Sequence, residues 1–156
     1  MKTQQGKTSS GPQPSAMTNG TNRIPRAPGR QDRLGLELGE VTNAMVRIYK
    51  ELFGRGPTKA RSSYAGPDTL VATLEDSLTS AERNLLRLGE HQRVRETRTL
   101  FQHASERVSV EAVEQITGRR VRPFVSGTDT RADLSSKVFY LEPIASPDAT
   151  ERGSER

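Results

Sequence analysis

A short cationic segment contains the residues whose types and spacing could bind a ligand. Arg55, Lys59 and Arg61 follow one another closely along the chain, around Gly56. A guanidinium group can contact phosphate or carboxylate in bidentate fashion, and a glycine lets the backbone approach a ligand. The sequence therefore predicts an anion-binding site formed by Arg55, Gly56, Lys59 and Arg61. Alternatively, this segment is only a helix stop followed by a turn, and its cations are solvated.

A second group of arginines could form a nucleic-acid-binding surface. It consists of Arg83, Arg87, Arg93, Arg95, Arg98, Arg119, Arg120 and Arg122. Glutamates are interspersed among these arginines, which also suits local ion pairs on exposed helix faces. The 3 Tyr and 4 Phe fall mostly at predicted core positions, so platforms for stacking bases are not indicated. Nucleic-acid binding through this arginine-rich region and the basic amino-terminal tail is kept as the alternative function.

Residues for catalysis or metal binding are not grouped in the sequence. The 2 histidines, His91 and His103, should lie about 18 Å apart on one helix and cannot share a metal ion. The absence of cysteine excludes disulfides and thiolate metal sites. No Ser-His-Asp set or carboxylate pair can be singled out. We therefore expect a protein that is not an enzyme and needs no cofactor.

The positive charge is concentrated at the amino-terminal end of the chain. The formal net charge is +5, and residues 1–33 alone hold 6 cations and 1 acid. This segment is also poor in large apolar side chains, which predicts a disordered basic tail over 1–33. An α+β domain is predicted over 34–145, with 16 cations and 15 acids, and a charged disordered tail over 146–156.

Hydropathy gives expectations about the membrane and the compartment. No apolar run approaches the ~18 residues that a membrane-spanning helix needs. The amino terminus also lacks the apolar region of a secretory signal. We therefore expect a cytoplasmic protein without a membrane span.

Periodicity predicts three helices. The first covers residues 37–53, with one apolar face formed by Val41, Met45, Ile48 and Leu52. Thr79 and Glu82 have the spacing of a capping box at the start of a short second helix. The third helix is predicted over 91–117, with an apolar stripe formed by Val94, Phe101, Ala104, Val108, Ala112 and Ile116.

Segments rich in β-formers predict four strands. They cover residues 58–65, 69–75, 119–126 and 137–142. Pro123 lacks a backbone N–H, so the third strand is expected at a sheet edge or a bulge. The order α-β-β-α-α-β-β favours a two-layer α+β fold, with a small antiparallel or mixed four-stranded sheet and helices on one face.

Several segments resemble one bacterial domain family. The most specific is Phe-Gly-Arg-Gly-Pro-Thr-Lys-Ala-Arg at 53–61. Further matching segments lie at 43–50, 78–82, 94–98, 113–121 and 138–143. Over residues 38–143 the chain resembles the MpsC-type family, named for a Na+-translocating membrane potential-generating system.

The resemblance implies a part in a membrane-associated system that handles Na+ or bicarbonate. Without a spanning segment the chain is expected to be a soluble accessory or regulatory domain, acting by protein or anion binding. Its expected partner is a protein, such as a membrane transport component, and self-association as a homodimer is the other option. No catalytic residues come with the resemblance.

Overall fold

The computed structural model describes residues 29–144, which form three helices and four strands. In chain order these are α1 Arg30–Phe53, β1 Lys59–Tyr64, β2 Thr69–Glu75, α2 Ser80–Arg87, α3 His91–Thr117, β3 Val121–Asp129 and β4 Leu134–Leu141. The predicted element order and the α+β class are both confirmed.

The four strands form one antiparallel sheet with the order β1-β2-β4-β3. β3 is an edge strand, and its register shifts between Val121 and Phe124. Pro123 lies inside this irregularity, where its missing N–H removes no regular ladder bond. Both positions expected for this proline, an edge and a bulge, are therefore found together.

The apolar core lies between the long helices and one face of the sheet, which we call the inner face. α1 contributes Val41, Met45 and Ile48, as its periodicity predicts. β2 and β4 contribute alternate residues, among them Leu74 and Phe139. Alternation in a strand sends successive side chains to opposite faces, so the residues between these form the outer face.

α1 begins earlier than its predicted start at residue 37. The Gly29 N–H donates to the Asp32 carboxylate at 3.0 Å, and residues 30–33 of the predicted tail belong to the helix. Leu34 and Leu36 are exposed, so the first turns lack the buried face that reveals a helix in sequence. The remainder of the predicted tails, over 1–28 and 145–156, lies outside the described residues.

Local signals gave the other helix ends correctly. The Thr79 N–H donates to Glu82 Oε2 at 2.7 Å, and the Glu82 N–H donates to Thr79 Oγ1 at 3.2 Å, which completes the predicted capping box. Gly54 ends α1 with a φ of 69°, a conformation that glycine adopts without steric cost. Within residues 29–144, no helix is both long and apolar enough to cross a bilayer.

The bounds of α3 are as predicted, and its predicted apolar stripe is confirmed at Val94, Ala112 and Ile116 but wrong at Ala104 and Val108. Val108 is 44% exposed and Ala104 is also exposed. The side chains buried on this helix are Val94, Arg98, Gln102, Ser105, Ser109 and Val113. A strict seven-residue repeat drifts around a straight helix by about 20° per heptad, which carries Val108 away from the core.

The last two strands extend further into their connection than predicted. β3 continues to Asp129 and β4 already begins at Leu134. The predicted polar loop over 127–133 is therefore reduced to a turn at 130–133. The longer strands bring Thr128 and Ser135 opposite each other on the inner face, where their hydroxyl oxygens lie 2.9 Å apart.

Candidate functional site

Arg55, the first residue of the predicted anion site, is bound within the fold. Its Nη1 donates to the Leu78 carbonyl at 2.6 Å, and its Nη2 donates to Asp76 Oδ2 at 3.2 Å. The Thr58 hydroxyl donates to the same carboxylate oxygen at 2.8 Å. Arg55 thus links the segment after α1 to the β2–α2 connection.

The other predicted site residues are distributed around β1. Lys59 and Arg61 are exposed at alternate positions of this strand, on the outer face. Arg61 Nη1 lies 3.3 Å from Glu75 Oε1, and its side chain is 72% exposed. A Cβ on Gly56 would lie 3.5 Å from the Val46 side chain, so this glycine packs against α1. Anion binding by these residues stays a prediction. In the structure, Arg55 and Arg61 each already contact a carboxylate.

The arginine group is not a single surface, because Arg98 is only 1% exposed. Its Nε and Nη2 donate to the two carboxylate oxygens of Glu82 at 2.6 Å and 2.7 Å. Nη1 and Nη2 also donate to the Ser77 hydroxyl and carbonyl at 3.1 Å and 2.9 Å. The guanidinium carbon lies 4.0 Å from the Phe53 ring centroid.

The Arg98–Glu82 ion pair attaches α2 to the inner side of α3. Burial opposes ionisation of Glu82, but hydrogen bonds from Arg98 and Thr79 hold the pKa of its carboxyl below the usual value. Arg98 cannot contact a nucleic acid without unfolding this region, so its inclusion in the arginine-rich surface was wrong. Arg83 donates to Asp76 Oδ1 at 2.9 Å and Arg119 to Asp68, so two further members of the group have internal partners.

Sequence reasoning missed a cleft between α3 and β3. The cleft has a volume of about 340 Å³, and its lining is polar and apolar in equal measure. The lining residues from α3 are Arg95, Thr99, Gln102, His103 and Glu106, and those from β3 are Phe124, Val125, Ser126, Gly127 and Thr128. Gln102 Nε2 donates to Thr128 Oγ1 at 2.7 Å, which joins the two walls.

Lys137 lies on β4, the strand next to β3, and is completely buried. It is paired with Ser126 across the ladder, and its Nζ lies 5.2 Å from the Phe124 ring centroid and 5.6 Å from that of Tyr49. Burial lowers the pKa of the Lys137 ammonium to about 8, against a smaller opposing effect of the Glu106 carboxylate. The sequence did contain a signal, since Lys137 has the same strand parity as the core residue Phe139.

The two histidines occupy different surroundings. His91 is half-buried at the first turn of α3, with Nδ1 3.5 Å from the Thr130 hydroxyl. His103 is exposed at the rim of the cleft. Across residues 29–144 the His, Asp and Glu side chains form no group of three that could hold a metal ion.

Comparison with known proteins gives one result. Neither the curated proteins nor the solved structures include a significant match. A family model described as "Na+-translocating membrane potential-generating system (MpsC)" matches residues 38–143, which cover α3, the whole sheet and most of α1. The chain therefore belongs to the MpsC family.

Proposed function

We propose that this chain is a non-enzymatic accessory domain of a Na+-linked membrane-potential system. It acts on the cytoplasmic side by binding a protein component of that system through the outer face of its sheet. The observation that carries the proposal is an apolar row across three strands of that face. The family description supports the setting, and the chemistry of the face supports the kind of partner.

The row consists of Val71, Val138 and Val125. Val71 is paired with Val138 between β2 and β4, and Val138 is paired with Val125 between β4 and β3. Val125 is 53% exposed, and Tyr140 beside the row is 41% exposed. Both long helices pack on the opposite face, and Val71 and Val138 are half-buried in the middle of the row.

The charges near the row indicate the chemistry of the partner. Lys59 and Arg61 lie on the same face, on the edge strand β1, and both are exposed. Glu75 is paired with Lys59 across the ladder and lies 3.3 Å from Arg61, so the three charges leave one net positive charge there. Opposite charges across an interface favour association and suppress wrong partners. The expected partner therefore presents an apolar patch bordered by carboxylates. A second copy of this chain would bring the same cations instead.

The test measures membrane potential in the native cell. We expect deletion of the chain to lower the Na+-dependent potential reported by a voltage-sensitive dye, and wild-type protein to restore it. Val125→Lys should fail to restore it, because a charge in the centre of the row cannot be buried against a partner without large cost. Leu88→Lys is the matched control, since Leu88 is 77% exposed on another surface.

Different outcomes refute different parts of the proposal. An unchanged potential after deletion would contradict the role in the membrane system. Full rescue by Val125→Lys would contradict the outer face as the binding surface. Sedimentation of the purified protein distinguishes a different partner protein from a second copy of this chain. A wild-type dimer that Val125→Lys dissociates would show that the face binds a second copy.

A further inference from the structure

A groove at one end of the domain combines an apolar lining with cations. It has a volume of about 620 Å³. The first turns of α1, the turn between β1 and β2, the end of α3 and the residues after β4 form its walls. These walls are mostly apolar, and all but one of their charged side chains are arginines. The groove shares no residue with the valine row of the outer face.

One face of the first turns of α1 forms a wall of this groove. The residues on this face have the spacing i, i+3, i+4 and i+7, and they are Arg30, Arg33, Leu34 and Glu37. One turn further on, the same side of the helix carries Val41, which is completely buried in the core. The first turns therefore continue the core-facing side of α1 beyond the core, where Leu34 stays 43% exposed.

Other apolar side chains are exposed around the groove. Ile144, which follows β4, is 75% exposed, and Pro67 in the turn between β1 and β2 is also exposed. Both line the groove together with Leu34. Exposed apolar groups rimmed by charges mark surfaces that bind a protein or a membrane. A partner must therefore offer an apolar phase, which a free phosphate ion or a nucleic-acid backbone does not.

Two charged groups of the groove already have partners within the fold. Arg119 donates to the Asp68 carboxylate, and its Nη1 donates to the Pro67 carbonyl at 2.9 Å. Glu37 Oε1 accepts the Tyr64 hydroxyl at 2.7 Å. These contacts fix Arg119 and Glu37 in the walls, so the attraction of a charged partner falls to the remaining cations.

Arg30 and Arg33 are those remaining cations. Both are exposed, and neither forms an ion pair with another residue of 29–144. The segment before them, residues 1–28, adds 4 cations and no acid. Residues 1–37 thus hold 6 cations and 2 acids, whereas residues 38–156 hold the other 18 cations and 17 acids. Most of the excess positive charge therefore belongs to the part of the chain that leads into the groove.

We propose that this end of the protein binds the surface of an anionic lipid bilayer. Leu34, Pro67 and Ile144 enter the boundary between headgroups and acyl chains, and Arg30 and Arg33 contact the lipid phosphates. Such a surface supplies both the apolar phase and the negative charge that the groove calls for. Binding to lipid requires no component of a Na+ system, so this proposal and the proposed function can fail separately.

The experiment measures flotation of the full chain with lipid vesicles in a density gradient. Vesicles of equal parts phosphatidylglycerol and phosphatidylcholine are compared with vesicles of phosphatidylcholine alone, at low and at high sodium chloride. The chain should float with the anionic vesicles and not with the neutral ones, and binding should weaken as salt rises. An excess of glycerol phosphate should not release it, because a soluble headgroup offers no apolar phase.

Two double variants separate the charge from the apolar contact. Arg30→Ala with Arg33→Ala should lower the partition coefficient about 30-fold, since each cation near an anionic surface strengthens binding about fivefold. Leu34→Ser with Ile144→Ser should lower it about tenfold, because less apolar surface enters the bilayer. All four side chains are exposed, so both variants should fold like wild type, which circular dichroism checks.

Matched controls remove the same kinds of group from other surfaces. Lys59→Ala with Arg61→Ala removes two exposed cations of β1. Leu88→Ser with Leu100→Ser removes two leucines that are 77% and 69% exposed. Both control variants should float like wild type.

The proposal is overturned if wild-type protein binds neutral vesicles as well as anionic ones, or binds neither. It is equally overturned if the variant at Leu34 and Ile144 keeps wild-type binding, because adsorption of the basic segment alone would then explain the result. Release by glycerol phosphate, or an equal loss of binding in the control variants, would also contradict it.

Discussion

Replacement of Lys137 by Met should stabilise this protein, and the gain should depend on pH. The ammonium is buried among aromatic rings, and its pKa of about 8 lies below the ordinary value of 10.5. This difference corresponds to about 3 kcal/mol less stability for the charged form in the folded state. Methionine has a similar length and no charge, so Lys137→Met should gain about 3 kcal/mol at pH 7.

The sign of the pH dependence follows from proton binding. Between pH 8 and 10.5 the unfolded chain holds the Lys137 proton and the folded chain has released it. The free energy of unfolding therefore rises with pH in this window. Below pH 8 both states are charged and the cost of burial is fully present. The advantage of the Met variant should accordingly be constant up to pH 8 and shrink towards pH 10.

The assay is urea unfolding followed by circular dichroism at pH 7, 8, 9 and 10 in a non-binding buffer. Burial raises the pKa of Tyr49 and, with the neighbouring Glu37, raises that of Tyr64 to about 12. These phenols lower stability near pH 10 in both proteins, so the difference between variant and wild type cancels them. Lys59→Met is the control, because Lys59 is exposed and its replacement removes no buried charge. A difference that is the same at every pH, or a Met variant less stable than wild type at pH 7, would refute the reasoning.

Three further expectations concern stability. Glu82→Gln should cost about 3–5 kcal/mol in urea unfolding, because it leaves the buried Arg98 guanidinium without its counter-charge; a loss below 1 kcal/mol would contradict the assigned role of the pair. Thr79→Ala should cost about 1 kcal/mol by removing one half of the capping box, whereas the exposed Ser80→Ala next to it should be near neutral. Gly54→Ala should lower Tm by several degrees, because its φ of 69° is strained for any side chain, and an unchanged Tm would show that the αL cap is dispensable.

The parts of the fold that could be predicted from the sequence are those governed by local rules. The Thr79–Glu82 capping box and the strand over 69–75 depend on near neighbours, and the structure has both as expected. Pro123 constrained its strand for the same reason, since its missing N–H acts at its own position. The first turns of α1 are exposed, so no apolar periodicity marks them in the sequence, and the predicted start of this helix was wrong.

The cleft shows why the site was harder to predict than the fold. Ser105 and Ser109 are ordinary surface residues in a sequence, and only the packing of α3 against β3 and α1 makes them interior. Burial of Arg98 was not predicted for the same reason, because its acceptors on Glu82 and Ser77 belong to a segment about twenty positions earlier in the chain. Residue type alone predicts that charged and polar side chains face solvent. This expectation fails where a specific partner offsets the free-energy cost of burial.

Strand alternation gives β3 and β4 two chemically different faces. On β3, Val125 points outward into the apolar row and Ser126 points inward; on β4, Val138 and Lys137 repeat this arrangement. A one-residue slip of register would exchange the two faces and bury valines where Ser126 and Lys137 now lie. Burial of the charged Lys137 costs about 3 kcal/mol, so this charge opposes the observed register and does not stabilise it. The apolar anchor Phe139 and the Thr128–Ser135 hydroxyl pair therefore hold β4 in this register, with Lys137 on the inner face and the valine row on the outer face.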